Sequence, residues 1–325
     1  LQAAFDAAGV SSSIVNAEGD ATKQATQADQ AITNGAKVIV FVDLDSGSGA
    51  AIIAKARAAN VHIIDYDRLT IQGPGADFYV SFDNVAVGRL EGQGVVDGIA
   101  AAGLKNPVVA ELNGSPTDNN ATLFKQGYDS VLQPLYDNKT YTKGPDQSVP
   151  GWDNQKALTI FEQMLTAQNN KIDAVAAAND GLAGAVASAL ENQKLPYVPV
   201  SGQDATVEGI QRVIAGRQSM TVYKAVKQEA NAAAALAIAL VKGTDTKALA
   251  TGTADNTDGG KNAAGNKSMP AVLLVPVAVY KSNVGQTVLA DGFRTVAEVC
   301  VGDFAKYCPA NWAMMAAGMA ATKAP

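Results

Sequence analysis

The sequence has little cysteine and histidine, no excess of basic charge and no long apolar run, and each of these features excludes a class of protein. Two cysteines and one histidine, His62, cannot build a tetrahedral zinc site. The 25 Lys and Arg residues against 31 Asp and Glu residues give a net charge of −6. No run of basic residues offers the footprint that a nucleic acid requires. No apolar stretch approaches the roughly 18 residues that cross a bilayer. We therefore expect no metal, no nucleic-acid partner and no membrane span.

The length and composition predict a two-domain α/β protein. The chain has 325 residues, of which 47% are hydrophobic, 17% are charged and 30 are glycine. At about 100 to 200 residues per domain this length favours two domains, each with a core of its own. The composition is not that of a disordered chain, a collagen or a coiled coil.

Short β-branched runs alternate with helical segments along the chain. The runs at 37–42 and 61–66 lack polar alternation, which indicates parallel strands buried on both faces. Asp20 and the pair Asn34-Gly35 are typical of the start and end of a helix. Further strands are predicted at 78–81, 107–112, 172–178, 197–201 and 220–223, and further helices at 49–60, 84–102, 119–135, 154–169, 182–192 and 206–215. This order predicts doubly wound parallel sheets.

Three other segments carry predictions of their own. The Gly- and Asn-rich segment 256–268 is predicted to be an exposed surface loop. The apolar run 271–280, interrupted by Pro276, suits a segment that crosses from one sheet to another. His62, between Val61 and Ile63, is interpreted as a core histidine rather than a general base.

The loops that follow the predicted strands are unusually polar. In an open α/β sheet a ligand binds beyond the carboxyl ends of the strands, so these loops are the candidate site. Each residue alone has a structural alternative, because Asp and Asn are frequent helix N-caps and the two cations could simply neutralise Asp67 and Asp204. The strand-end residues are Asp67, Arg68, Asp118, Asn120, Asn179, Asp180, Asp204 and Lys224.

This set of side chains suits a neutral sugar. Carboxylates, amides and an arginine fork hold sugar hydroxyls in pairs, and an aromatic ring stacks on the C–H face. Trp152, in a turn after Pro150-Gly151, could supply that ring, the alternative being a core tryptophan. Catalysis is not expected, because no activated nucleophile is evident. Neither a dinucleotide-binding nor a phosphate-binding glycine motif is present, so no cofactor is expected.

The strings at these positions resemble the periplasmic sugar-binding proteins of ABC transporters, and D-xylose-binding proteins in particular. The resemblance extends from about Gly19 to Phe293. Its most specific strings are Gly114-Ser-Pro-Thr-Asp-Asn-Asn120, Ser201-Gly-Gln-Asp-Ala205 and Thr221-Val-Tyr-Lys224. They occur in order and at separations typical of that family.

The resemblance implies two Rossmann-like lobes joined by a three-segment hinge, which close around a monosaccharide held between them. The first lobe would comprise 1–104 and 226–276, and the second 105–225 and 277–325. The implied partners are D-xylose and a membrane permease, with the receptor a monomer outside the cytoplasm. The implied sugar ligands are Arg68, Asp118, Asn120, Trp152, Asn179, Asp204 and Lys224, together with Asp67 as the other half of the Asp-Arg pair.

Two parts of the chain depart from the family pattern. Leu1–Asp6 reads as the middle of a helix, so the first central strand of the family is missing from this sequence. A removed N-terminal segment is compatible with periplasmic export or with a lipid anchor. The tail 295–325 goes beyond the pattern, and its Cys300 and Cys308 either close a small disulfide loop or remain two buried thiols.

The sequence is also compatible with other functions. The chain could bind an aldopyranose other than D-xylose, because selectivity among aldoses depends on single polar groups. It could also be the effector-binding core of a sugar-responsive transcription regulator, although no helix-turn-helix segment is present. A fold-related enzyme is the third alternative.

Overall fold

A computed structural model describes residues 1–312 of the chain. The chain divides into two compact units. Unit 1 comprises Leu1–Asp83, Thr117–Asn120 and Ala225–Val275, and unit 2 comprises Asn84–Pro116, Ala121–Lys224 and the described residues from Pro276 onward.

Helices and strands alternate along the described residues. The α-helices are α1 (Gln2–Ala7), α2 (Ala21–Thr33), α3 (Gly49–Ala58), α4 (Asn84–Ala101), α5 (Asn119–Asp137), α6 (Asn154–Ala167), α7 (Asp180–Asn192), α8 (Val207–Ala215), α9 (Val226–Lys242) and α10 (Val296–Val299). The strands are β1 (Val38–Phe41), β2 (His62–Tyr66), β3 (Phe78–Phe82), β4 (Val108–Asn113), β5 (Thr142–Ser148), β6 (Ala174–Ala177), β7 (Thr221–Tyr223), β8 (Gly252–Ala254), β9 (Met269–Leu274) and β10 (Val277–Val279).

Unit 1 contains a five-stranded sheet in the order β1-β2-β3-β9-β8. The first four strands are parallel, and β8 pairs antiparallel with β9 at one edge. Ile63, Ile64 and Val80 are fully buried because helices cover both faces of these strands. The predicted parallel architecture is therefore confirmed for this unit.

Unit 2 contains a parallel sheet in the order β5-β4-β6 and an antiparallel pair, β7 with β10. Single parallel bridges join Val175 to Val200 and Gln203 to Val222. Its main core lies where α6 and α7 pack on this sheet, around Phe161. The carboxyl ends of β6 and β7 lead into Asn179, Asp180 and Lys224, which are three of the candidate residues of this unit.

The strand predicted at 197–201 is wrong except at one point. Only Val200 forms a bridge in that segment. Pro196 and Pro199 have no N–H group to donate to a ladder, which explains why pairing does not extend. The polar strands β5 and β8 were not predicted, because Thr142–Ser148 carries charged and turn-forming residues and Gly252–Ala254 has only three residues.

The unit boundaries differ from the expected lobes at two places. The first boundary was expected after residue 104, but it lies before α4, between Asp83 and Asn84. Helix α4 belongs to unit 2 because its small residues let it pack closely against the rest of that unit. A Cβ added at Gly88 would lie 1.9 Å from the carbonyl oxygen of Phe124. The segment Thr117–Asn120 groups with unit 1, where the Ser46 amide donates to the Thr117 carbonyl at 3.0 Å.

The segment at residues 256–268 is a loop in which most side chains are exposed, as predicted, but three of its residues are buried. Asn256 is fully buried, and its Nδ2 donates to the Thr70 carbonyl at 3.3 Å. Nδ2 of Asn262 donates to the Gly73 carbonyl at 2.7 Å. Buried amides that bond to main chain pin this loop onto the segment that follows β2, and a count of polar residues could not reveal that role.

Two further predictions have definite outcomes. His62 is not in the core: its side chain is half exposed at the start of β2, with Nδ1 3.3 Å from Asp77. The run 271–280 does cross between sheets, since β9 belongs to unit 1 and β10 to unit 2. Within residues 1–312, no helix is both long enough and apolar enough to span a membrane.

Candidate functional site

Four of the predicted site residues lie together in unit 1, beginning with Asp67 directly after β2. Asp67 has φ +65°, in the left-handed region that is uncommon for residues with a side chain. Its carbonyl accepts hydrogen bonds from Tyr79 Oη at 3.0 Å and Ser81 Oγ at 2.8 Å. Nδ2 of Asn120 also donates to this carbonyl, at 3.1 Å. The turn is therefore bound at a single oxygen by three side chains.

Arg68 forms an ion pair with Asp118. Its Nε lies 3.0 Å from Oδ2 of Asp118, and its Nη1 donates to the Leu44 carbonyl at 3.1 Å. Asp118 is 3% exposed, and its Oδ1 accepts from the Asn120 amide at 2.9 Å. The arginine and the main-chain amide together fix the orientation of this buried carboxylate without a ligand. Asp67, Arg68, Asp118 and Asn120 thus form one connected polar cluster.

Two buried carboxylates support the loop that contains Arg68. Oγ1 of Thr70 lies 3.1 Å from carboxylate oxygens of both Asp43 and Asp65. Burial raises the pKa of Asp43 to about 6 and that of Asp65 to about 7. A hydroxyl group has one proton, so it can donate to only one of the two carboxylates at a time. If Thr70 donates to one of Asp43 and Asp65, a hydrogen bond between Thr70 and the other requires that the other carboxyl group is protonated.

In unit 2, Trp152 occupies a short 3₁₀ turn, Pro150–Trp152. It has φ +57°, which is an outlier for a bulky residue. Its indole ring packs edge-on against Phe124, with ring centroids 6.4 Å apart. The side chain lies at the margin of the unit 2 core and is only partly buried, so it is not a core tryptophan.

Lys224 and Asp204 form an ion pair in the same unit. Nζ of Lys224 lies 3.0 Å from Oδ1 of Asp204 and 5.8 Å from the centroid of the Phe124 ring. Asp204 has φ +88°, which makes it the third candidate residue in a left-handed conformation. Such conformations persist where the surrounding structure imposes them, and they concentrate at binding sites.

Asn179 is a helix N-cap, which is the structural role that the sequence offered as an alternative to ligand binding. Its Oδ1 accepts from the Leu182 amide at 2.8 Å at the start of α7. The neighbouring Asp180 is buried, and its carboxylate accepts from the Thr206 amide at 2.8 Å and from Nε2 of Gln218 at 2.7 Å. Burial raises the pKa of Asp180 to about 6. Asp180 thus joins the loop after β6 to the loop that contains Asp204.

Sequence reasoning missed Glu91 and the role of Phe124. Glu91 is fully buried on α4, and neither of its carboxylate oxygens has a hydrogen-bond partner within residues 1–312. Burial raises its pKa well above the ordinary value, Asp204 and Asp180 add to this, and Lys224 opposes it. A glutamate in the glycine-rich run Gly88–Gly94 was the available signal. Phe124 was hidden because its ring contacts Trp152 and Lys224, which are distant in sequence.

Each unit has groups that can bind the hydroxyls of a polyhydroxylated molecule. Unit 1 offers two carboxylates, an arginine and an amide, and unit 2 offers a carboxylate, a lysine, an amide and an indole ring. Within the described residues, no group of three or more His, Cys, Asp or Glu side chains could hold a metal ion. Cys300 and Cys308 form a disulfide, which decides between the two alternatives for that pair.

Comparisons with known proteins agree with this fold. The family model described as a periplasmic binding protein domain matches residues 1–245. The D-xylose-binding periplasmic protein of Escherichia coli is 38% identical over 287 residues, which cover 88% of this chain and 82% of that protein. The multiple sugar-binding periplasmic receptor ChvE of Rhizobium radiobacter is 33% identical over 305 residues, covering 89% and 83% of the two chains.

A solved structure gives the same result. An ABC transporter solute-binding protein from Clostridium phytofermentans, with bound β-D-glucose, superposes with a TM-score of 0.82. The two chains are 26% identical, and the match covers 92% of this chain and 93% of the other. The chain belongs to the periplasmic binding protein family.

Proposed function

We propose that this protein is a sugar receptor of an ABC importer and that D-xylose is its ligand. The observation that carries the proposal is the connected cluster of Asp67, Arg68, Asp118 and Asn120. A buried carboxylate, an arginine and an amide with fixed orientations match adjacent sugar hydroxyls, each of which is both a donor and an acceptor. Trp152 supplies the ring for the C–H face, and Asn179, Asp204 and Lys224 supply further polar groups.

D-xylose is the first choice of sugar because of similarity to known receptors. The relative from Escherichia coli that is 38% identical is named for binding it. The strings Gly114–Asn120 and Ser201–Ala205, which contain three of the proposed ligand residues, are also those that resemble D-xylose-binding proteins.

A second candidate is an aldopyranose with one more carbon, such as D-glucose. A relative that is 33% identical is named as a multiple sugar receptor, and the similar solved structure contains β-D-glucose. One additional CH₂OH group is the difference that the site would have to accept or reject.

The proposal includes capture by hinge bending, as the resemblance implies, and delivery of the sugar to a membrane permease. It also includes a periplasmic or extracytoplasmic location, with or without a lipid anchor, and a monomeric receptor. In this proposal the chain binds the sugar and does not convert it.

The decisive experiment is a calorimetric titration with D-xylose, D-glucose, D-ribose and L-arabinose. We expect one-to-one binding that is tightest for D-xylose. Tighter binding of D-glucose would move the assignment to the second candidate. No heat with any of the four sugars would overturn the proposal. Recovery of unchanged D-xylose after long incubation would separate a receptor from an enzyme.

A further inference from the structure

The indole ring of Trp152 lies directly against the main chain at Gly114, at the end of β4. A Cβ atom added at Gly114 would lie 2.0 Å from Cη2 of Trp152 and 2.2 Å from its Cζ2. Ordinary contacts begin at 3.4 Å, so no side chain fits there unless the ring moves. The φ of Gly114 lies outside the left-handed region, so the need for glycine is one of space and not of backbone conformation.

The turn that contains Trp152 has little freedom to yield. The Val149 amide donates to the Asn113 carbonyl at 3.0 Å, and the Gly151 amide donates to Oγ of Ser115 at 3.1 Å. Directly after the tryptophan, Asp153 caps α6 by accepting from two main-chain amides. The main chain of Trp152 is thus bound to the loop after β4 on one side and to a helix start on the other.

The ring itself has a second restraint. Phe124 is 2% exposed and packs edge to face against the indole at an interplanar angle of 64°. Edge-to-face packing fixes the tilt of both rings. The position of the indole is therefore determined by a fixed turn, by a buried phenylalanine and by the absence of a side chain at residue 114.

We propose that Gly114 is a positioning residue for sugar binding, because it sets the plane of the aromatic surface on which the sugar stacks. This inference rests on the proposed function, since it concerns the same site. Any side chain at this position moves the indole ring by more than 1 Å, the difference between 2.0 and 3.4 Å. A pyranose that stacks on the ring then loses either the ring contact or its hydroxyl contacts.

The test is a double-mutant cycle on the full chain with D-xylose as the probe. We expect Gly114→Ala to raise the Kd about tenfold, the value of one aromatic contact. Phenylalanine lacks the outer ring atoms that the added Cβ meets. In the Trp152→Phe background, Gly114→Ala should therefore change the Kd less than about twofold. An equal loss in both backgrounds would overturn the inference.

Gly252→Ala is the matched control. Its φ also lies outside the left-handed region, and the nearest heavy atom to an added Cβ is the Ala271 carbonyl oxygen at 3.8 Å. This variant should bind D-xylose as the unchanged protein does. A loss of affinity as large as that of Gly114→Ala would overturn the inference.

Fluorescence gives an independent readout of the ring. The chain has two tryptophans, so Trp312→Phe leaves Trp152 as the reporter. Gly114→Ala should shift its emission in the absence of sugar, and an unchanged spectrum would contradict the clash. If the unchanged protein binds no sugar, the proposed function and this inference both fail. If it binds normally and Gly114→Ala binds equally well, only the inference fails.

Discussion

Nζ of Lys224 lies 3.0 Å from Oδ1 of Asp204. The lysine side chain is 12% exposed and the aspartate side chain is 40% exposed. Asp204 does not depend on this attraction for its position. Its amide donates to the Val222 carbonyl at 2.8 Å, and its φ of +88° turns the chain sharply after Gln203. The Asp204 carboxylate is therefore held in position before any ligand binds, with Oδ1 paired to Nζ of Lys224. Such pre-organisation reduces the cost of binding.

We expect Asp204→Ala to weaken D-xylose binding by about 1 to 3 kcal/mol, because a buried hydroxyl of the sugar loses its partner. The melting temperature of the empty protein should change little, since a partly exposed ion pair adds little stability. Calorimetry and thermal melting measure the two quantities. Asp29→Ala is the control, because Asp29 pairs with Lys55 on the exposed surface. A large drop in melting temperature with unchanged affinity would make Asp204 a structural residue.

Asp180 has the opposite expected behaviour. Its carboxylate accepts from the Thr206 amide, from Oγ1 of Thr206 and from Nε2 of Gln218, and the residue is 1% exposed. Asp180→Ala should lower the free energy of unfolding by about 2 to 4 kcal/mol, because one buried and two partly buried donors lose their acceptor. Sugar affinity should fall as well, since the loops of Asn179 and Asp204 lose their connection.

Urea unfolding monitored by circular dichroism measures the stability of this variant. Asp180→Asn is the control, because it keeps an acceptor oxygen in the same volume and should cost less. Equal stability of Asp180→Ala and the unchanged protein would contradict the role of Asp180 as a connection between these loops.

These residues show what the sequence could and could not predict. Parallel strands end at one edge of a sheet, so the polar residues after β2, β4, β6 and β7 could be identified from the alternation of strands and helices alone. The pairing of Lys224 with Asp204 was one of the structural alternatives and is confirmed. For Arg68 the sequence offered its neighbour Asp67 and gave no sign of the ion pair with Asp118, 50 positions away in the sequence.

The remaining misses have a common physical cause. Polarity correctly indicated that most of segment 256–268 is exposed, but it could not indicate that Asn256 and Asn262 are buried, with side-chain amides that donate to main-chain carbonyls of another loop. Apolar neighbours suggested a core position for His62, but the start of β2 is exposed and Asp77 lies beside the imidazole ring. Composition reports average burial, whereas individual hydrogen bonds depend on the tertiary arrangement.

The pair Asp43 and Asp65 predicts a pH dependence of stability. Both carboxyl groups have an ordinary pKa of 3.8, raised by burial to about 6 and about 7 in the folded protein. Hydrogen bonds from Thr70 oppose the rise in pKa at both groups. At Asp43 the main-chain amides of Asp45 and Gly49 also oppose it while the Asp45 charge adds to it, and at Asp65 the Arg57 charge opposes it. Between the ordinary pKa of 3.8 and the raised pKa of each group, the folded state holds more protons than the unfolded state. The free energy of unfolding therefore falls as the pH rises through this range.

We expect the stabilisation by protonated Asp43 to be complete below about pH 4 and to be lost by about pH 7, a change on the order of 3 kcal/mol. Urea unfolding at several pH values measures the slope. Asp43→Asn cannot titrate, so its slope should be shallower than that of the unchanged protein. Asp29→Asn on the surface should leave the slope unchanged. Identical slopes for the protein and Asp43→Asn would contradict the shared proton at Thr70.

The disulfide Cys300–Cys308 predicts a local loss of order on reduction. It closes a loop with a sequence separation of 8, and a loop of that size is worth about 2 to 3 kcal/mol in the chain-entropy account. The segment before it contacts α8, where Nε2 of Gln211 donates to the Val299 carbonyl at 3.2 Å. Phe304, inside the loop, lies with its ring centroid 6.0 Å from the Arg217 guanidinium.

Reduction, or the double change Cys300→Ser and Cys308→Ser, should therefore speed amide hydrogen exchange in residues 296–308 and lower the melting temperature by a few degrees. D-xylose affinity should not change, because this segment contacts Gln211 in α8 and Arg217 just after it, and neither is a candidate ligand residue. Exchange monitored by mass spectrometry, with and without a reductant, measures the first effect, and calorimetry measures the second. A loss of sugar binding on reduction would mean that the loop supports the site through Arg294, whose Nε donates to the Ala205 carbonyl at 2.9 Å beside Asp204.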